Sequence, residues 1–142
     1  MKKIFKKNKG FAILFAVTLS SILLAITLGV TEIALKELKF STSAMATNEA
    51  FYAADTGTEF ILFNDKTTTY PNPAIGVIAS WGPFIISNIG GQNSSCAIVT
   101  ISKNYTGPSM ITTIVSKGYN IGDALCESTN PNRVEREIET RY

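Results

Sequence analysis

The feature that most constrains this chain is an uninterrupted apolar segment near its start. The sequence FAILFAVTLSSILLAITLGV occupies residues 11–30, and residues 10–31 carry no charge. A helix of about 20 residues spans about 30 Å, which is the thickness of the hydrocarbon core of a bilayer. An ordinary secretory signal has a shorter apolar region that ends in a cleavage site of small residues. We therefore predict a membrane anchor at residues 11–30.

The charges of the chain are distributed unevenly around this segment. The whole chain has a net charge of +2, with 13 basic and 11 acidic residues. Five of the basic residues are lysines within the first nine positions, and without them 8 basic residues stand against 11 acidic ones. A nucleic-acid-binding function therefore gains no support from overall basicity. Because basic residues mark the cytoplasmic side of a membrane segment, we expect the N-terminus to lie inside the cell.

The composition also argues against several kinds of catalytic and metal site. The 142 residues include no histidine and only two cysteines. A Ser-His-Asp or Cys-His arrangement, a zinc site with histidine ligands and a four-cysteine site all need residues that are missing here. The phosphate-binding patterns GxGxxG and GxxxxGK[ST] do not occur either. We expect a protein that is not an enzyme and holds no metal or cofactor.

The apolar segment continues into a stretch with helix-forming composition. No proline precedes Pro71, and Glu32 lies four residues before Lys36, an orientation that favours a helix ion pair. We predict one helix over residues 11–63, with a transmembrane half at 11–30 and an outer half at 31–63. Apolar and mostly small residues recur in the outer half at steps of three and four, which predicts a face that later strands cover. These residues are Ala46, Ala50, Ala53, Ala54, Gly57, Phe60 and Ile61.

Residues 64–142 have the composition of turns and short strands. A loop is predicted at residues 64–73, and the apolar region at 75–89, interrupted by Gly82-Pro83, fits one or two strands or a buried loop. The predicted fold class is α+β, with the long helix packed against a small antiparallel sheet. The clearest strand patterns lie at residues 97–102, 110–117 and 134–142.

Small residues recur every four positions within the predicted transmembrane half. Ser21, Ala25 and Gly29 form the small-xxx-small pattern that allows membrane helices to approach each other closely. We predict that this face packs against other helices. An anchor that faces lipid on all sides is the alternative that these three residues leave open.

The two cysteines, Cys96 and Cys126, are best explained by a disulfide. The predicted anchor indicates that the following domain is exported, and exported domains of this size commonly contain disulfides. Cys96 opens the first clear strand pattern, and Cys126 precedes the loop that leads into the last one. The alternative is a pair of buried thiols in a cytoplasmic protein.

At Lys9-Gly10-Phe11 the sequence resembles the type IV pilin and pseudopilin family. Members carry a short basic leader ending in glycine, which a membrane prepilin peptidase removes before a residue that is usually phenylalanine, and the new N-terminus is methylated. The resemblance implies a leader at residues 1–10 and processing between Gly10 and Phe11. It also implies a pilin-like fold, in which one disulfide cross-links the C-terminal sheet domain. The implied partners are other pilin subunits, the prepilin peptidase and methylase, and the inner membrane.

One position departs from the pattern of the main shaft subunits in that family. Most of them have glutamate as the fifth residue after the cut, and Phe15 occupies this place here. The sequence instead resembles minor subunits placed at a filament tip. The resemblance implies a structural subunit of a type IV pilus or secretion pseudopilus, located first in the cytoplasmic membrane and then at the cell surface. The alternative is a single-pass, membrane-anchored surface binding protein that does not assemble.

Overall fold

The chain forms one long helix followed by a four-stranded sheet, which confirms the predicted α+β class. The computed structural model describes residues 9–91 and 94–142, with side chains from residue 11 onward. The chain divides into two compact units, one ending at Thr42 and the other spanning Ser43–Tyr142. Helix α1 is Lys9–Lys66, and the strands are β1 (Ile78–Ile89), β2 (Ser95–Asn104), β3 (Ile111–Tyr119) and β4 (Glu135–Arg141).

The C-terminal end of α1 differs slightly from the prediction. The loop expected at residues 64–73 begins later, because the helix continues to Lys66 before Thr67 donates its amide to the Phe63 carbonyl at 3.1 Å. Asp65 lies in this extra turn and forms an ion pair with Lys103 of β2. A contact over such a separation in sequence stabilises the last turn, and the local sequence pattern does not reveal it.

The sheet is entirely antiparallel, with strands in the order β1-β2-β3-β4. The central pairing joins β2 to β3 without a register shift, from Cys96 opposite Tyr119 to Asn104 opposite Ile111. The three clear strand patterns are confirmed, because they correspond to β2, β3 and β4. The region at 75–89, left open between strands and a loop, contains the single strand β1, whose pairing with β2 shifts register between Trp81 and Phe84.

The core of the second unit lies between the C-terminal part of α1 and one face of the sheet. Its buried cluster consists of Ile61, Tyr70, Ala97, Val99, Ile101 and Ile114. The predicted helix face is confirmed at Ala50, Ala53, Ala54 and Gly57, which are buried, whereas Ala46 is half-buried.

The prediction of the helix face is wrong for one residue, Phe60. Phe60 is 51% exposed, and Thr58 is buried instead at 7% exposure. Successive helical residues are rotated by about 100°, so Phe60 lies at the margin of the face that Ala54 and Ile61 define. The Thr58 hydroxyl donates to the Ala54 carbonyl at 3.0 Å, which satisfies it inside the core.

Small residues set a short distance between α1 and the sheet. A methyl group added to Gly118 of β3 would overlap the backbone of Ala50 and Ala54. A methyl group added to Gly57 would lie 2.5 Å from the Ser116 hydroxyl. Because the atoms met at Gly118 belong to backbone, they are not free to rotate away. These glycines are therefore required for the observed packing.

Candidate functional site

The most unusual surface of the protein is the N-terminal part of α1. Every side chain from residue 11 to residue 43 is exposed, including Phe11 at 76%, Leu14 at 64% and Leu24 at 63%. By its length and composition, α1 is able to cross a membrane once. Residues 11–30 of this part carry no charge, and a continuous apolar surface of that length is unfavourable in water, so it requires an apolar environment. A bilayer or other apolar helices supply one.

Three hydroxyl side chains within residues 11–30 are compatible with such an environment. The Thr18 hydroxyl donates to the Leu14 carbonyl at 3.1 Å, and the Thr27 hydroxyl donates to the Leu23 carbonyl at 2.6 Å. The Ser21 hydroxyl donates to the Thr18 carbonyl at 2.8 Å. A hydroxyl that is bonded within its own helix loses less on leaving water than a hydroxyl without a partner. These three residues therefore need no partner from another chain.

The residues predicted to pack helices together share one exposed face of α1. Ser21, Ala25 and Gly29 are spaced by four, which places them above one another on the helix surface. Apart from its chain neighbours and the nearby backbone of its own helix, no atom of the described residues lies within 4 Å of a methyl group added to Gly29. The face is therefore open to an approaching helix, and its packing against another subunit stays a prediction.

The predicted processing site lies at the beginning of the described chain. Gly10 and Phe11 both belong to the first turns of α1, and the Phe11 side chain is exposed. The leader predicted at residues 1–10 lies outside the described residues except for the backbone of its last two positions. Cleavage between Gly10 and Phe11 therefore stays a prediction.

Cys96 and Cys126 form a disulfide, with their Cα atoms 5.8 Å apart. Both residues are 1% exposed. The bond connects the start of β2 to the loop between β3 and β4. Arg133 fixes the other end of this loop, because its guanidinium carbon lies 3.7 Å from the centre of the Tyr119 ring and its Nη1 donates to the Ser128 carbonyl at 3.1 Å.

A buried ion pair joins the end of α1 to the sheet. Lys103 Nζ lies 2.6 Å from Asp65 Oδ1, and the two side chains are 4% and 8% exposed. Lys103 also donates to the Tyr70 carbonyl at 2.8 Å and to Asn72 Oδ1 at 3.0 Å. The buried ammonium group thus has one carboxylate as its ion-pair partner and two hydrogen-bond acceptors, and a buried charge requires such compensation.

The sequence analysis did not predict this ion pair, although the sequence pattern of β2 indicates one of its two partners, Lys103. Ala97, Val99, Ile101 and Lys103 alternate along β2 and therefore share one face. A lysine in such an apolar series is rarely buried unless it has a partner. Its partner is Asp65, which lies 38 positions earlier (103 − 65) in a segment predicted to be a loop.

Two tyrosines complete this polar cluster. The Tyr142 hydroxyl donates to Asp65 Oδ2 at 2.7 Å. Burial and the hydrogen bond to Asp65 raise the pKa of Tyr142, and burial and the Asp65 charge raise the pKa of Tyr70. Both phenols therefore stay protonated at neutral pH. The cluster borders a cavity of about 400 Å³ and links α1, β2 and the end of the chain.

Within residues 9–91 and 94–142, no group of three or more histidine, cysteine, aspartate or glutamate side chains is arranged to hold a metal ion. Comparison with protein-family models, with curated proteins and with solved structures finds no match to this chain. The exposed part of α1 is a stronger candidate for a functional surface than the polar cluster, because the charged groups of that cluster are already paired within the chain.

Proposed function

We propose that this chain is a structural subunit of a type IV pilus or a secretion pseudopilus. It is made as a precursor, processed between Gly10 and Phe11, and anchored in the cytoplasmic membrane with its N-terminus inside. It then assembles with other pilin subunits at the cell surface. The observation that carries this proposal is the exposure of every side chain from 11 to 43 on a helix whose C-terminal part is buried in its own compact unit.

The proposed assembly uses one apolar surface in two environments. Residues 11–30 first contact lipid in the membrane and later contact the helices of neighbouring subunits. Ser21, Ala25 and Gly29 allow the backbones of two helices to approach, because they have little or no side chain beyond Cβ. Burial of large apolar side chains on the remaining surface supplies a further favourable term without covalent bonds.

Phe15 supports a minor or tip position rather than a place in the shaft. A glutamate at this point of the helix would need a positively charged partner in an apolar environment. Phe15 is apolar and 58% exposed, so it makes no such demand. A subunit without a charge here is suited to the end of a filament, where no further subunit sits above it.

The second candidate is a membrane-anchored surface binding protein that does not assemble. It is favoured by the second unit, Ser43–Tyr142, which has its own core and its own disulfide. In this function α1 serves only to attach the unit to the membrane. The two candidates differ in whether residues 1–10 are removed and in whether filaments form.

The intact mass of the purified protein tests processing directly. We expect co-production with a prepilin peptidase and methylase to give a chain that begins at methylated Phe11. The Gly10→Val variant should keep its leader, because a branched side chain replaces the glycine before the cut. Gly29→Val, a matched change within the helix, should be processed normally. A wild-type chain that keeps residues 1–10 while the peptidase cuts another prepilin would refute the proposal.

Electron microscopy then tests the position in the filament. A label on an exposed residue of the second unit should appear at filament ends if the subunit is a tip subunit. Labels along the whole filament would assign it to the shaft. Correct processing without filaments, in the presence of the other subunits, would contradict the proposed assembly.

A further inference from the structure

The cavity beside the buried ion pair lies where several elements of the second unit meet. Asp65 lies in the last turn of α1, Lys103 near the end of β2, and Thr112 near the start of β3, while Tyr142 directly follows β4. Its volume of about 400 Å³ is near the lower end of the range of about 300 to 1,000 Å³ that is typical of small-molecule sites. The cavity therefore suits one small molecule.

This cavity has no net charge. Among the described residues that line it, Asp65 and Lys103 are the charged ones, and they pair with each other at 2.6 Å. Burial raises the pKa of Tyr70 and Tyr142, so both phenols stay protonated at neutral pH. An ionic ligand would lose water here and would find each opposite charge already paired. The ligand that fits is therefore uncharged.

The polar groups of the cavity include both donors and acceptors. Asn72 Oδ1 accepts from Lys103 at 3.0 Å, which leaves the two N–H groups of its amide as donors. The Tyr142 hydroxyl donates to Asp65 at 2.7 Å and the Thr68 hydroxyl donates to the preceding carbonyl at 2.6 Å, so the oxygen of each is an acceptor. Asn72, Thr68 and Tyr142 are all exposed, so a ligand is able to reach them. A hydroxyl group on the ligand suits both kinds of partner, because it donates and accepts.

Thr68 has a backbone conformation that its side chain disfavours. Its φ is 66°, in the left-handed region where a β-branched residue is an outlier. The Thr68 amide donates to the Asp65 carbonyl at 3.0 Å, and the Thr69 amide donates to the Asn64 carbonyl at 3.1 Å. Glycine is the usual residue at this position of such a helix end. Strained residues cluster at functional sites, and the side chain of Thr68 lines the cavity.

We propose that the cavity binds a neutral sugar ring, either as a free sugar or as the terminal residue of a glycan. The ring hydroxyl groups bond to the Asn72 amide and to the oxygens of Thr68 and Tyr142. The C–H groups of the ring contact the apolar side chains of Pro71 and Met110, which also line the cavity. This inference does not depend on leader processing or on helix assembly, so its failure would leave the proposed function standing.

NMR titration of the full-length chain tests the proposal, with isotope-labelled tyrosine rings and a phosphocholine detergent that carries no sugar. The probes are the methyl glycosides of glucose, galactose and mannose. One control is methyl glucuronide, which adds a carboxylate, and the other is tetrahydropyran, the same ring without hydroxyl groups. We expect at least one neutral glycoside to shift the Tyr142 signal saturably and to leave the signal of Tyr52, on α1, in place. Both controls should bind at least tenfold more weakly.

A disaccharide separates the two sources of the ring. The probe is the methyl glycoside of a disaccharide whose terminal residue is the sugar that binds best. An affinity equal to that of the single sugar assigns the site to the terminal residue of a glycan. Binding of the single sugar alone assigns it to a free sugar.

Variants at the end of α1 separate binding from folding. Thr68→Gly removes a side chain from the cavity and relaxes the backbone, so it should weaken binding at least fivefold and raise the urea midpoint followed by Trp81 fluorescence. Thr68→Ser keeps the hydroxyl group and should bind within twofold of the wild type. Thr67→Ala changes an exposed neighbour that does not line the cavity, and it should leave binding unchanged.

Several results would overturn the proposal. They are the absence of a saturable Tyr142 shift with all three neutral glycosides, equal affinity for a neutral glycoside and either control, and equal effects of Thr68→Gly and Thr67→Ala. Weaker binding by Thr68→Gly together with a lowered urea midpoint would also overturn it, because Thr68 would then act only through the fold. Selective binding of a neutral glycoside that Thr68→Gly weakens in a more stable protein would support it.

Discussion

The two parts of helix α1 have the same secondary structure and opposite surfaces. From residue 11 to residue 43 every side chain is exposed, and most of the large ones are apolar. Further along, small residues such as Ala50, Ala54 and Gly57 are buried against the sheet. Helix propensity is therefore shared by both parts, whereas only the C-terminal part has a face that the sheet covers, and its small residues allow the close approach. Large apolar side chains that the chain does not bury are available to lipid or to other apolar helices.

The largest expected loss of stability comes from removing the charge of Lys103, which pairs with the C-terminal end of α1, and the control removes a charge from the exposed part of the helix. Replacing Lys103 by Met leaves the buried Asp65 carboxylate without its cation and should lower the free energy of unfolding by about 3 to 5 kcal/mol. Urea unfolding followed by the fluorescence of Trp81 measures this change. Lys39→Met, at an exposed position in the N-terminal part, should change stability by less than about 0.5 kcal/mol.

A double variant shows whether the loss comes from the unpaired charge. In Lys103→Met combined with Asp65→Leu, both charges are replaced by apolar side chains, so most of the lost stability should return. If the double variant is as unstable as Lys103→Met alone, the ion pair is not the reason for the loss. The connection between the end of α1 and β2 would then need a different explanation.

A slightly smaller effect is expected from the disulfide, which belongs only to the second unit. Cys96 and Cys126 are separated by 30 positions, and closing a loop of this length stabilises a fold by roughly 3 to 4 kcal/mol on the loop-entropy estimate. Reduction should lower the urea midpoint reported by Trp81. The helical circular dichroism of the membrane segment in detergent should not change. An unaltered midpoint after complete reduction would contradict the structural role of the bond.

Two glycine variants compare the buried and exposed surfaces directly. Gly118→Ala adds a methyl group that meets the backbone of Ala50 and Ala54, and overpacking of this kind costs about 1 to 3 kcal/mol. The methyl group of Gly29→Ala meets nothing within 4 Å beyond its chain neighbours and the nearby backbone of its own helix, so this substitution should not lower the unfolding free energy of the second unit. Equal destabilisation by the two substitutions would show that both glycines pack within the chain, contrary to the structure.

The smallest effect concerns acid stability and the loop closed by the disulfide. Asp123 Oδ1 accepts hydrogen bonds from the amides of Glu127 at 2.9 Å and Leu125 at 3.0 Å, and these bonds lower the pKa of Asp123. A lowered pKa in the folded state stabilises the fold above the ordinary aspartate pKa of about 3.9, and this contribution is lost as pH falls through the lowered value. Asp123→Asn should therefore show a smaller loss of stability below pH 4. An identical acid dependence in both proteins would refute this role.

Much of the fold follows from local sequence patterns. The continuity of α1 is predictable because helix-forming residues and the absence of proline act over neighbouring positions. The strands β2, β3 and β4 are predictable because short β-type runs alternate with turn residues. The disulfide is predictable from the predicted export of a domain with two cysteines.

The remaining features depend on contacts between distant residues. Lys103 is visible as a charge in an apolar series, but nothing local identifies Asp65 as its partner. Gly118 matters because a helix lies against it, and no turn or unusual backbone angle marks it in the sequence. The exposure of Phe60 depends on the width of the face that the sheet covers. Such features require the paired elements to be placed in space first.

We propose that the N-terminal part of α1 serves partners outside the chain, and we expect it to contribute nothing to the fold of the second unit. A fragment spanning residues 43–142 tests it most directly, by urea unfolding followed through Trp81 and by its state of association. We predict a soluble monomer whose unfolding free energy matches that of the same unit in the full-length chain within about 0.5 kcal/mol. A fragment that fails to fold, or that is less stable by more than about 2 kcal/mol, would contradict the claim.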